Sequence, residues 1–281
     1  MAMTQLEETP TAMIDRVASL LESFVGERPL TLAEIARRSH VPRSSAHRIL
    51  QRLVELGWVE RKQFKYTLGV RMFELGAQFR RRHNVHRAAL PVMTDLHRRS
   101  GLTVHLSMLV GAEIMHLDRV GLWPSVGGQW SVGARQPAAI TAAGRAVLAT
   151  LPPGRWAELE FEDVPTCYSI RSRNQLARDL ERVRDRGGVA VDSQGTALGV
   201  TVVAAPIATA DTDAEEHFAL SLCGPTRTLG LESVTAEVRD AAATIWRVAA
   251  GVPPLRPRPV AATGHGSRIS RPHMTVAHSG W

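Results

Sequence analysis

Two cysteines in 281 residues, Cys167 and Cys223, are too few for a disulfide framework or a four-thiolate zinc site. That usage implies a reducing cytoplasm. No apolar run approaches the roughly 18 residues that a membrane span needs, and the opening MAMTQLEETPTAM has neither the basic nor the apolar region of a secretory leader. The expectation is a cytoplasmic protein with no membrane partner. Also missing are the Gly-x-Ser-x-Gly elbow, the His-Glu-x-x-His pair and the phosphate-loop glycine pattern, so the commonest hydrolase, zinc-peptidase and nucleotide signatures are gone. Neither a cofactor nor a metal is expected, and no internal repeat is visible.

Lysine is nearly absent, at positions 62 and 65 alone, so arginine carries the positive charge behind the pI near 10.5 and net charge of +7. That charge is unevenly placed. Residues 1–90 hold 15 Lys+Arg against 9 Asp+Glu, residues 91–251 hold 15 against 18, and residues 252–281 hold 4 against none. The resulting balances of +6, −3 and +4 put contact with an anionic polymer in the N-terminal part.

The stretch TLAEIARRSHVPRSSAHRILQRLVELGWVE, residues 31–60, carries the sharpest signal. Thr31 followed by Glu34 makes a capping box that starts a helix, in which Leu32, Ile35 and Ala36 recur at helical spacing. After a Ser39-His40-Val41 turn, Pro42 suits the first turn of a second helix running to about Leu56. Ala46, Ile49, Leu50, Leu53 and Leu56 form its apolar stripe, leaving Arg43, Ser44, Ser45, His47, Arg48 and Gln51 for phosphates and base edges. Gly57 then ends the helix, and WVERKQFKYTLG reads as a basic hairpin around Lys62 and Gln63, with Phe64, Tyr66 and Leu68 on its apolar face. Helix, turn, helix and basic hairpin make a winged helix-turn-helix that binds double-stranded DNA, with Lys62 in the wing.

Upstream, Met13–Phe24 places Ile14, Val17, Leu20, Leu21 and Phe24 on one face, as a first packing helix requires. Downstream, residues 70–100 read as a linker helix region with a basic Arg80-Arg81-Arg82 end and a break near Ala89, because Pro91 follows. From Leu102 the period changes to a hairpin around Gly111-Ala112. A short helix over Ile140–Leu151, a longer one over Arg171–Gly188, three strand-like runs and a closing helix follow. The order predicts an α+β domain over 101–251 behind the DNA-binding domain at 10–69. Residues 252–281 are rich in Pro, Gly, Ser and Arg and predict a disordered tail, in which His265, His273 and His278 match no compact metal site.

In three ordered places the chain resembles the IclR family of bacterial transcription regulators, over about residues 10–250. VPRSSAHRILQRLVELGWVE is similar to that family's recognition helix and wing entry. VGARQPAAITAAGRAVLATLP looks like its effector-domain helix, and RDRGGVAVDSQGTALGVTVVAAPI with FALSLCGP looks like its C-terminal signature. The resemblance implies a linker helix, a GAF-like α/β effector domain that binds a small metabolite, and a homodimer or tetramer on a pseudo-palindromic operator. A dimer also follows from physics, since one short recognition helix reads only a few base pairs.

Carried onto this sequence, the resemblance implies an effector site of Ala142 and Ala143 at a helix start, Asp192, Val202, Ser221 and Cys223. Free N–H groups around Ala142, Ala143 and Gly144 suit a carboxylate, Asp192 and Ser221 can order a hydroxyl or amine, and Leu106, Met108 and Met115 would supply apolar wall. The chain departs from the family where Val202 replaces a frequent Cys, Cys223 replaces a Ser, and Gln194 and Gly195 replace acidic residues. Those changes predict a ligand less polar than a small keto acid. Trp123 and Trp130 lie in a Gly-rich loop that either closes over the site or packs on the sheet. Two other readings stay open: an enzyme with a hydrolytic set of Asp192, Ser193, His105 and His116 behind a DNA-binding domain, and a ligand-independent regulator acting through a protein partner.

Overall fold

The computed structural model describes residues 12–24, 26, 28–122, 128–156, 159, 161, 164–208 and 216–252. Trp123, the three tail histidines and the tail itself beyond Val252 lie outside the described residues.

The N-terminal unit runs α1 (Met13–Glu22), β1 (Leu30–Thr31), α2 (Leu32–Arg38), α3 (Arg43–Glu55), β2 (Val59–Lys62) and β3 (Lys65–Leu68). Thr31 caps α2 with the reciprocal box: its Oγ1 accepts from the Glu34 N–H at 3.3 Å, and Glu34 Oε2 accepts from the Thr31 N–H at 2.8 Å. These bonds, led by the Thr31 N–H and reinforced by Arg28, hold the Glu34 carboxyl down at about 2. Thr31 also closes a three-stranded sheet of order β1-β3-β2, a two-residue strand too short to show in the sequence pattern. Leu20, Leu30, Ile35, Val41, Ala46, Leu50, Val59 and Tyr66 make the core.

Several expected packing residues lie outside that core. Ile14 is 81% exposed, Phe64 79%, Leu56 47% and Leu68 45%. A three-helix unit this small has only one interior, and these four residues sit at the ends of their elements or in the wing turn, beyond its reach. Pro42, at φ −52° and ψ 136°, is the cap residue of α3 rather than its first helical residue. The turn before it bends at His40 (φ 53°).

Beyond the wing come α4 (Val70–Arg82) and α5 (Asn84–Ser100), which meet at His83 (φ −88°, ψ 109°). The break therefore precedes Ala89, and Pro91 sits inside α5. An interior proline forfeits one helix bond at a cost of about 3 kcal/mol. Burial of Ala88, Ala89, Met93 and Leu96 against the sheet offsets it.

The C-terminal unit holds β4 (Thr103–Val110), β5 (Glu113–Val120), β6 (Arg135–Pro137), α6 (Ala142–Leu148), α7 (Arg173–Asp185), β7 (Ala190–Ser193), β8 (Val200–Ile207), β9 (Phe218–Pro225) and α8 (Leu231–Ala249). The predicted hairpin is present, turning at Gly111 (φ 61°), and β6 is a short edge strand that the sequence pattern hid. All neighbours in the sheet, of order β6-β5-β4-β9-β8-β7, are antiparallel. One face is covered by α5 and α8, the other by α6 and α7, so the sheet is buried on both sides and the α+β architecture has two cores in this unit. Gly144 lets α6 lie against the segment that leads into it: a Cβ there would collide with the Ala138 backbone.

Candidate functional site

Four side chains, Ala46, Ile49, Leu50 and Leu53, anchor α3 in the core. At 100° per residue, the direction opposite to them is occupied by Ser44, Arg48 and Gln51, all exposed. Arg43 is exposed in the first turn, whereas Ser45 and His47 are half-buried on the flanks of the stripe. Further along the chain the wing turns at Gln63 (φ 55°), whose carbonyl accepts from Arg61 Nε at 2.9 Å. Lys62 and Lys65 stand directly opposite each other on β2 and β3. Two like charges across a hairpin repel, and an anion between them relieves the repulsion. Lys65 and Arg61, whose guanidinium lies 5.5 Å from the Tyr66 ring centre, are thus wing cations that the sequence reading passed over; their paired register was the missing signal.

On the C-terminal sheet, the face under α6 is written by the register. One rung reads Ala190, Ala204, Ser221, His105 and Arg119; the next reads Asp192, Val202, Cys223 and Thr103. Val202 and Cys223 pack with Ala142 and Ala143 of α6. All six residues implied for the effector site, Ala142, Ala143, Asp192, Val202, Ser221 and Cys223, therefore stand on or over one surface. Leu106, Met108 and Met115 do not join them. They pack on the opposite face, in the core under α5 and α8. A strand's side chains alternate, so the neighbours His105 and Ser107 take the inner face that those apolar residues were expected to line.

Two family models decide the chain's kinship. The IclR helix-turn-helix domain matches residues 13–63, and the domain described as Bacterial transcriptional regulator IclR C-terminal matches residues 77–247. The chain belongs to the IclR family. It is similar to the glycerol operon regulatory protein of Streptomyces griseus, at 30% identity over 244 residues that cover 83% of this chain and 94% of that protein. Its similarity to the namesake from Streptomyces coelicolor is 31% over 202 residues, covering 69% and 78%. Among solved structures, an IclR homologue from Microbacterium hydrocarbonoxydans complexed with 4-hydroxybenzoate superposes with a TM-score of 0.74 at 26% identity, covering 85% of this chain and all of that one. The protein is thus an IclR-family transcription regulator with a DNA-binding helix-turn-helix, and no helix among its described residues is long and apolar enough to cross a membrane.

In this IclR-family chain the Asp192 carboxylate is fully engaged. Oδ1 lies 3.3 Å from Arg145 Nη2, and Oδ2 accepts from the Thr196 N–H at 2.9 Å and from Thr196 Oγ1 at 2.8 Å. Arg145 also reaches Asp179 at 3.2 Å and the Val191 carbonyl at 3.0 Å. Burial pushes the Asp192 carboxyl up, and Arg145 and Thr196 pull it back. Gly195 sits where a Cβ would strike that carboxylate. Asp192 therefore braces α6 and α7 against β7. The imagined hydrolytic set is not assembled around it: Ser193 Oγ meets Thr201 Oγ1 at 3.5 Å, and the two histidines meet each other instead.

His105 and His116 lie with ring centres 4.9 Å apart, capped by Trp130 at 5.8 and 6.2 Å. Trp130 is 3% exposed and packs on the sheet, the second of the two roles expected for it. Burial is the main cause that pushes His105 down to about 3 and His116 down to about 4, helped by mutual repulsion at His105 and by Arg119 at both. Burial also pushes the Cys223 thiol up to about 12, so it stays a thiol. For a depressed histidine the unfolded chain binds the proton first, so stability is fully present above about pH 6.5 and is lost as pH falls toward 4. The expected slope is about 1.4 kcal/mol per pH unit for each histidine. Urea midpoints from pH 7 to pH 4 should fall, and less steeply in His105→Gln/His116→Gln; equal slopes in the two proteins refute the assignment.

Proposed function

We propose that this regulator binds a two-fold operator with α3 in the major groove and the wing lysines on phosphate, and that a small molecule held between α6 and the sheet controls that binding. The observation that carries the reading is the outward face of α3, where Ser44, Arg48 and Gln51 align, together with the Lys62–Lys65 pair of the wing. Arg43, Ser45, His47 and Lys62 complete the proposed DNA contacts. Ala142, Ala143, Val202, Ser221 and Cys223 form the proposed ligand surface, with Asp192 bracing it. A dimer is supported by α4, none of whose residues is buried in the single chain. Phe73 is 72% exposed and Val70 62% on one side, with Leu75 46% exposed on the other. Apolar surface of that extent on a helix calls for a partner.

Ligand changes operator affinity in this scheme by binding one setting of the DNA-binding domains better than another. The Microbacterium homologue holds an aromatic acid, which makes 4-hydroxybenzoate the first compound to test, against pyruvate and glyoxylate. The test is fluorescence anisotropy on DNA upstream of the protein's own gene, at several salt concentrations. A specific complex that an acid weakens or strengthens is the expected result. Binding no better than salt-sensitive background overturns the DNA assignment, and a specific complex indifferent to every ligand favours control by a protein partner.

A further inference from the structure

We propose that Asp118 on β5 is a positioning residue that sets the angle of α4, and with it the place of the DNA-binding unit, by holding Arg80; the inference rests on the operator reading above.

The first ground is how little of α4 is fixed by packing. None of its residues is buried. At His83 the backbone is extended (φ −88°, ψ 109°), so the helix of α5 does not run on into α4 and cannot dictate its direction. A tilt of about 10° there swings the Val70 end, about 18 Å away at about 1.5 Å per residue, by about 3 Å. That is close to the rise of one base pair, about 3.4 Å when about 10 fill a turn of about 34 Å. A few degrees at one residue therefore decide whether two recognition helices meet their half-sites.

The contacts that hold this angle gather on one carboxylate. Arg80 Nη2, in the last turn of α4, lies 3.0 Å from Asp118 Oδ2, and His86 Nε2, in the first turn of α5, lies 3.3 Å from the same oxygen. Asp118 thus spans the break at His83. Its other oxygen accepts from the Arg119 N–H at 2.9 Å, which ties the side chain to its own strand. In the ladder Asp118 stands opposite Leu106 and His116 opposite Ser107, which leaves Leu117 as the extra residue of a bulge. Bulges re-aim side chains, and Leu106 packs on the α5 side of the sheet, toward which Asp118 reaches.

Charge makes Arg80 the partner that counts. Burial, with Arg80 as the next cause, pushes His86 below its ordinary value, so its ring is neutral at neutral pH and Arg80 is the cation that Asp118 holds. The pair is half open to water on the arginine side and adds little to folding. Among the described residues it is nevertheless the one ion pair that joins α4 to the sheet. Phe79 also reaches across the break to the His83 ring, with centres 4.2 Å apart. That apolar contact is non-directional, so it permits a range of tilts that the ion pair narrows.

The experiment is a pulsed-EPR distance measurement on the full chain, paired with anisotropy titrations on operator DNA. Spin labels go on the exposed positions Glu74→Cys of α4 and Ala236→Cys of α8, with the exposed Cys167 changed to Ser and the labelled chain diluted in unlabelled chain. The parent should give one narrow distance. Arg80→Gln and Asp118→Asn, each checked for the parent's melting curve, should broaden it and weaken operator binding about five-fold, as when one chain in five keeps the competent angle. Arg80→Lys, which keeps the charge, should stay near the parent. Asp118→Asn removes a negative charge and through charge alone would tighten DNA binding, so a loss of affinity there reports the angle. A broad parent distance, an unchanged distance in folded Arg80→Gln, or broadened distances with operator affinity unchanged or raised each overturns the proposal; Arg80→Gln decides alone if Asp118→Asn does not fold. A distance that is narrow in the parent and broad in the variants, in a chain that forms no specific operator complex, defeats the operator reading and spares the hold on α4.

Discussion

Replacing Arg48 by alanine is expected to weaken operator binding by about 1–3 kcal/mol per subunit, the range for a lost base-edge contact. On a two-fold operator the loss counts twice. Arg48 lies on the side of α3 opposite the core, and among the described residues no carboxylate pairs with it. Arg52, one turn on, is held by Glu55 at 2.8 Å, so Arg52→Ala should have little effect. Arg48 also borders an apolar groove of about 460 Å³ with Met13 and Val17 of α1. Anisotropy titrations at fixed salt measure the loss, and a change under ten-fold refutes the contact. Arg48→Lys separates base from phosphate: a lysine restores a point charge but not a two-pronged contact to guanine.

Asp192→Ala should destabilise the C-terminal unit by about 3 kcal/mol, because it strips a buried guanidinium of one of its two carboxylates and leaves it Asp179 and the Val191 carbonyl. The Arg145 and Asp192 side chains are each 5% exposed, so water cannot replace the lost contact. The Thr196 N–H and hydroxyl lose their acceptor as well. For a unit of this size the melting temperature should fall by roughly 10 °C. The double variant Arg145→Met/Asp192→Leu should recover much of the loss, since apolar residues of similar volume often replace a buried pair without penalty. Asp192→Ala within 1 kcal/mol of the parent in urea unfolding would show that this carboxylate is free for ligand and not a brace.

Local signals were legible wherever partners are near in sequence. Thr31 and Glu34 announced the start of α2, the stripe Ala46, Ile49, Leu50 and Leu53 placed α3, and Gly111 marked the hairpin turn. The same reasoning misplaced Pro91, because helix propensity near a proline is weaker than the packing of α5 on a sheet that begins at Thr103 and continues past residue 200. It misplaced Ile14, Leu56 and Phe64, because an apolar pattern says which residues share a face and not how much of that face is covered. Of the candidate site, Ser221 and Cys223 were readable only through family likeness. His105 and His116 were noticed as residues, but their meeting with Trp130 was not legible.

By itself the sequence determined the winged helix, the hairpin, the order of helices and strands and the regulator family, because caps, turns and periodicities act over about four residues and survive in any context. Tertiary structure alone decided which face of the sheet carries the proposed ligand surface. With helices on both sides, alternating His105, Leu106, Ser107 and Met108 fit either way up, and only the order β6-β5-β4-β9-β8-β7 placed His105 beside Ser221 and sent Leu106 and Met108 under α5 and α8. It likewise brought Arg145 to Asp192, 47 residues away, where burial turned a carboxylate expected to hold ligand into a brace for the helix above it.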